Sequence, residues 1–233
     1  MSAASPAAKP FRFSSTMTLR ESTGVRAVSL PQLLRHLRTM PESVIYYHTH
    51  HYLLEHHYLT PEPPNDFAYW ATAVFGEARL GEQLASIDTI QFTSLSALRD
   101  RLVEVLSQYL RANPLLRWRV VGMEDAFYFI KAVNLVLTTP YEAKTLEEFA
   151  ACLEAITIES LYFHIFEARL RLRRGPNDFS LWLEQLGEPQ LASAVATLDP
   201  YTHTMEELRQ TLLRLIRREL EHRQRASVPA AVA

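Results

Sequence analysis

Most of this chain is written twice, and that duplication constrains its fold more than any other feature. The stretch FRFSSTMTLRESTGVRAVSLPQLLRHL, from Phe11, aligns without a gap with FYFIKAVNLVLTTPYEAKTLEEFAACL, from Phe127, at an offset of 116 positions. Phe11 meets Phe127, Phe13 meets Phe129, Leu19 meets Leu135, Ala27 meets Ala143 and Leu30 meets Leu146. The same register makes Tyr46 meet Tyr162 and His48 meet His164. Beyond a loop four residues longer in the first half, NDFAYW from Asn65 meets NDFSLW from Asn177. Gly76 then meets Gly187, Asp88 meets Asp199 and Arg99 meets Arg209. A repeat over roughly a hundred residues sets the architecture before any local propensity does.

Each copy reads as one strand followed by helices. FYFIKAVNLVL is rich in aromatic and β-branched residues and FRFSSTMTLR alternates, so both are expected to be strands, closed by turns at STG and TTPY. Helices follow from capping-box starts at Ser29 with Gln32, Thr145 with Glu148, and Thr204 with Glu207. Asp66 and Asp178 are read as N-caps, Gly76 and Gly187 as helix ends, and the last helix of each copy as starting near Ser94 or Thr204. The expected fold is α+β, mainly α-helical: a tandem duplication of a strand-plus-helices unit packed about a pseudo-twofold axis. The expected division is a lead-in over 1–10, repeat units over 11–110 and 127–225, a connector over 111–126 and a tail over 226–233. The motifs IYYHTH, PEPPNDFAYW, LYFHIFEARLRL, NDFSLWL and LDPYTHT resemble an uncharacterised prokaryotic family classed as a domain of unknown function. The resemblance spans nearly the whole chain, implies that the two-unit layout recurs, and brings no established activity.

The chemistry that stands out is histidine. Five of the nine histidines, His48, His50, His51, His56 and His57, crowd into VIYYHTHHYLLEHH. At 100° per residue, His48, His51 and Glu55 share one helical stripe, and His164, Glu167 and Arg171 occupy the corresponding stripe of the second copy. If the two motif helices face each other, His48, His51, Glu55, His164 and Glu167 form a ligand set suited to zinc, iron or manganese. The alternative is a half-exposed polar stripe on which His48 and His164 serve the fold. Comparison of the copies favours that alternative for His48, since only His48 has a histidine counterpart. His50, His56 and His57 fall on other helix faces and are expected in solvent.

Paired polar positions are read as structural, with Arg99 and Arg209 pairing with carboxylates inside each unit. Tyr46, Trp70, Tyr162 and Trp182 are core residues or, as a further alternative, line a small-molecule or sugar pocket between the units. Much else is excluded. Six glycines form no phosphate-cradling loop, there is no nucleophile elbow, and the single Cys152 has no adjacent base. A net charge of -2 gives no electrostatic case for nucleic acid, and no apolar run is long enough for a membrane span. The expectation is a cytoplasmic, non-enzymatic interaction or scaffold protein whose partner is another protein. The expected assembly is either a monomer holding an internal pseudo-dimer or a homodimer. Its working surface is placed where the copies differ most, on His50, His56, His57, Glu62 and Asn65 of the first copy, beside the proline-rich loop.

Overall fold

Two long strands carry the architecture. In the computed structural model, which describes residues 9–55, 64–172, 176–198 and 204–227, β1 spans Phe11–Ala27 and β2 spans Phe127–Ala143. They pair antiparallel as a two-stranded sheet. Burial runs the same way along both, differing in class only at Thr18 against Asn134. The strands do not end at STG and TTPY, as the turn chemistry led us to expect. Gly24 takes a positive φ of 71° inside β1, and pairing continues to Ala27. A bulge-like residue in the left-handed region bends a strand without ending it.

Helices fill the rest. After β1 come α1 (Leu30–Leu37), α2 (Glu42–Tyr46), a π-helical turn over Tyr47–His51 and α3 (Tyr52–Glu55). Next are α4 (Asp66–Tyr69), a second π turn over Trp70–Val74, α5 (Ala78–Ala85) and α6 (Leu95–Ala112). After β2 the order is α7 (Leu146–Ala155), α8 (Ile158–Tyr162), a π turn over Phe163–Glu167 and α9 (Ala168–Leu172). Three more follow: α10 (Asp178–Gln185), α11 (Pro189–Ala196) and α12 (Met205–Ser227). Among the described residues no helix is long and apolar enough to cross a membrane. Of the expected capping boxes, the one at Thr204 closes, its Oγ1 accepting from Glu207 N at 3.2 Å while Glu207 Oε2 accepts from Thr204 N at 2.8 Å. Ser29 and Thr145 cap their helices, but Gln32 and Glu148 accept from Val28 N and Lys144 N, one residue before the cap. Gly76 and Gly187 close their helices with φ of 76° and 88°, in the region that disfavours any side chain.

The chain divides into two compact units, and the division is not the contiguous one expected. One unit is residues 18–135; the other, here called the split unit, joins residues 1–17 to 136–233. Each unit therefore takes the start of one strand and the end of the other. In the 18–135 unit, Phe127 and Phe129 from β2 enter a core with Leu33, Leu37, Phe67, Trp70 and Leu106. In the split unit, Phe11 and Phe13 from β1 lie against Phe149 and Phe179 with ring centroids 5.3 to 5.9 Å apart. Each such ring contributes about 2 kcal/mol by burial, plus an edge-to-face term. Cross-strand bonds fix the register inside each unit. Thr23 Oγ1 donates to Phe129 O, and Thr139 Oγ1 donates to Phe13 O, both at 2.6 Å.

Candidate functional site

His48 and His164 each sit in a π turn, the helical irregularity that recurs at functional positions. Both rings are buried. In the 18–135 unit, His48 Nδ1 lies 2.7 Å from Asp66 Oδ2, and its Nε2 accepts the backbone N–H of Ile130 at 3.0 Å. In the split unit, His164 Nδ1 lies 2.8 Å from Asp178 Oδ2, and its Nε2 accepts the N–H of Ser14, also at 2.8 Å. A backbone N–H can only donate, so Nε2 is the bare nitrogen. The proton is on Nδ1 and is donated to the aspartate. Each imidazole thus fastens a strand backbone to a helix N-terminal carboxylate, using both nitrogens.

Aromatic walls complete the setting. Phe127 lies 4.7 Å from His48 and Phe179 lies 5.4 Å from His164, centroid to centroid. Burial holds the pKa of His164 below the ordinary imidazole value, against the raising effect of Asp178. Burial alone would raise Asp178, but the hydrogen bonds from His164 and from Arg171 hold it below the usual carboxylate range. Arg171 Nη2 reaches the same Oδ2 at 2.6 Å and stacks 4.0 Å from the Phe163 ring centroid. Beside this group the split unit has an open cleft of about 470 Å³, rimmed by Lys9, Arg12, Arg171 and Trp182. Its histidine has no free nitrogen to offer a substrate.

The aspartates were expected as N-caps, and that reading is corrected. Asn65 and Asn177 are the caps, accepting from Ala68 N at 2.9 Å and Ser180 N at 2.8 Å. Asp66 and Asp178 are the first helical residues, which frees their carboxylates for histidine and sets them in the favourable field of a helix N-terminus. The sequence carried the clue, an N-D pair after a histidine in both copies. The strand amide across 82 or 150 positions left no such trace. Arg99 and Arg209 do pair with carboxylates inside their units, Arg99 Nε lying 3.7 Å from Asp100 Oδ1 and Arg209 Nε donating to Glu206 Oε2 at 2.9 Å, though neither acid has an acidic counterpart in the other copy. Arg99 Nη1 donates to Met40 O, and Arg209 Nη1 donates to Leu153 O and Ile156 O, closing chain turns.

The other histidine readings change because a π turn breaks the 100° arithmetic. A bond to the fifth residue along widens the turn and rotates everything after it. His50, expected in solvent, is 1% exposed, and burial pushes its pKa down to about 4. His51 is also buried, with Nε2 3.5 Å from Glu55 Oε1, and burial followed by the Arg20 charge lowers it to about 4. Glu55 is itself paired with Arg20. Glu167 is buried in the split unit. Among the described residues no three His, Cys, Asp or Glu side chains are grouped to hold a metal ion.

The expected interaction surface does not survive where it is described. Asn65, like His50, is buried, and its Nδ2 donates to Leu84 O at 3.2 Å. His56, His57 and Glu62 lie outside the described residues. The four aromatic pocket residues are core: Tyr46 and Trp70 in the 18–135 unit, Tyr162 and Trp182 in the split unit. Each indole N–H is satisfied by a carbonyl, that of Asp125 or of Lys9.

A family model described as a family of unknown function, DUF5752, matches residues 8–217. The chain belongs to that family. Among solved structures it is similar to OrfY from Thermoproteus tenax, with 31% identity, a TM-score of 0.76, and coverage of 91% of this chain and 96% of that one. A search of curated proteins finds no match. In this member of the family, both His–Asp pairs are spent on holding strands. Exposed apolar side chains lie elsewhere: along the strands, where Met17, Leu19, Leu135, Val136 and Leu137 are 44 to 58% exposed, and most fully on the connector. There Pro114–Arg117 form a single 3₁₀ turn, and Val121 N donates to Val28 O at 2.9 Å. Leu116 and Val121 pack onto the core, while Leu115 and Trp118 are each 84% exposed and Val120 is 64% exposed.

Proposed function

We propose that this protein is a non-enzymatic interaction or scaffold protein that works through its connector. The observation that carries the reading is the set Leu115, Trp118, Val120 and Met123, four large apolar side chains in solvent on one short segment of the 18–135 unit. Such a cluster on a folded surface marks an interaction site more often than chance. The segment is held in place, because Arg119 Nη1 pairs with Glu77 Oε1 at 2.7 Å and its guanidinium lies 4.8 Å from the Phe75 ring centroid. A face ordered before binding loses little entropy on binding. The engaged histidines support the same reading, since neither His48 nor His164 has a nitrogen left for acid–base work or for a metal.

Under the same proposal, the two units are copies of one duplicated element, each completed by a strand segment from the other copy's sequence. The matched His–Asp–amide groupings at equivalent positions support this. A photoreactive phenylalanine analogue placed at Trp118, expressed in the native cells, tests the interaction reading. We expect a discrete adduct from position 118 and none from the exposed Arg214 on α12. Equal labelling from both positions, or none from 118, contradicts it.

A further inference from the structure

Beside the connector, the 18–135 unit carries a groove of about 560 Å³ between α1 and the C-terminal half of α6. Its apolar surface comes from Pro31, Leu34, Leu110 and the exposed Trp118. Its polar rim is one-signed: Arg35, Arg38, Arg111 and Arg117, with no carboxylate among the lining residues. All four arginines are exposed. Among the described residues none is paired with a carboxylate. The polar contacts of Arg38 and Arg35 are weak, to Ser107 Oγ and to His36 Nε2, each at 3.4 Å. Other surface arginines of the chain, such as Arg12, Arg101 and Arg217, do have acidic partners.

Helix ends explain part of this placement. Arg35 lies in the last turn of α1 and Arg111 in the last turn of α6, where a cation is favourable. Two helix C-termini supply about one unit of negative charge between them, against four full positive charges. The surplus is an uncompensated cationic rim around an apolar floor.

We infer that this groove binds an acidic peptide segment bearing apolar side chains, an inference that rests on the interaction reading of the connector. The guanidinium fork matches a carboxylate in two-point geometry, and Leu34, Leu110 and Trp118 take the apolar anchor. A nucleic acid fits less well. It needs a basic track following several phosphates, whereas this cluster is local and the chain as a whole carries a net charge of -2.

The test uses the full chain and a short fluorescein-labelled peptide of alternating Glu and Leu. Trp118 is the exposed tryptophan of the three, Trp70 and Trp182 being buried, so docking shifts its emission to the blue. We expect saturable anisotropy that weakens as salt is raised. We expect affinity about a hundredfold lower in the Arg111→Glu/Arg117→Glu variant, about tenfold for each guanidinium–carboxylate pair removed. Unchanged circular dichroism verifies the fold of that variant. Equal binding of a Lys/Leu peptide, an unaffected double variant, or tighter binding of oligothymidylate each overturns the inference. Persistence of the photo-adduct at position 118 in the double variant also overturns it while leaving the connector reading intact. Absence of that adduct with the native arginines removes the connector reading itself.

Discussion

At the scale of single residues, the two histidine locks work through burial and saturation of hydrogen bonds. Replacing His164 by Ala strips Ser14 N–H of its acceptor and Asp178 of a donor in an aromatic cage, and opens a void. The expected destabilisation is about 3 kcal/mol, read by urea denaturation, and His48→Ala should cost a similar amount because its partners match. Acid should act on the same region. His50, His51 and His164 have folded pKa values below their ordinary value of 6.5, so the unfolded chain binds more protons as pH falls. Their contribution is therefore complete above about 6.5 and is lost as pH drops toward about 4. The thermal midpoint should fall steadily over that window, with His50 alone costing roughly 2 kcal/mol by pH 5. A midpoint flat from neutrality to pH 5 would contradict this. The sequence offered His48 and His164 as a matched pair that either serves the fold or joins a metal-ligand set. It did not show their partners, because the amides of Ile130 and Ser14 come from distant strands and backbone donors leave no signature in residue type.

At the scale of elements, the strands and the π turns decide what the sequence could reveal. Helix starts were legible, since Ser29, Thr145 and Thr204 announce themselves through a short polar side chain three residues before a glutamate or glutamine. The strand ends were not, because Gly24 looks like a turn residue and instead bends a strand that goes on pairing. The π turn at Tyr47–His51 misplaced His50 on the helical wheel, since sequence periodicity assumes a uniform turn. Each strand start serves helices distant in sequence. Phe13 packs with Phe149 and Phe179 of the split unit, and Phe129 lies in the core cluster of the 18–135 unit. Phe13→Ala and Phe129→Ala should each cost about 4 kcal/mol. Hydrogen exchange in Phe13→Ala should rise first in α7 and α10, ahead of α1. Faster exchange in α1 than in α7 would contradict the assignment of β1's first half to the split unit.

At the scale of the whole molecule, the expected repeat boundary and the unit boundary are different lines. Alignment led us to expect repeat units over 11–110 and 127–225, but it could not show that each compact unit takes a segment of both strands, because residue type does not record which strand segment packs on which helices. A fragment of residues 18–135 holds every residue of one unit and should melt cooperatively. A fragment of residues 1–110 lacks Phe127 and Phe129 and should not. Cooperative melting of the 1–110 fragment alone would contradict the division. The proposed working surface also lies away from the histidine-rich helix, on a connector whose tryptophan carries no sign of its exposure in residue type. Everything rests on the histidines being committed to the fold. Long-range nitrogen–proton NMR correlation on isotope-labelled full-length protein measures that commitment directly. His48 and His164 should each show a protonated Nδ1 and a bare, hydrogen-bonded Nε2, unmoved by equimolar zinc; an Nε2–H tautomer, or a zinc-induced shift of either ring, would contradict the account.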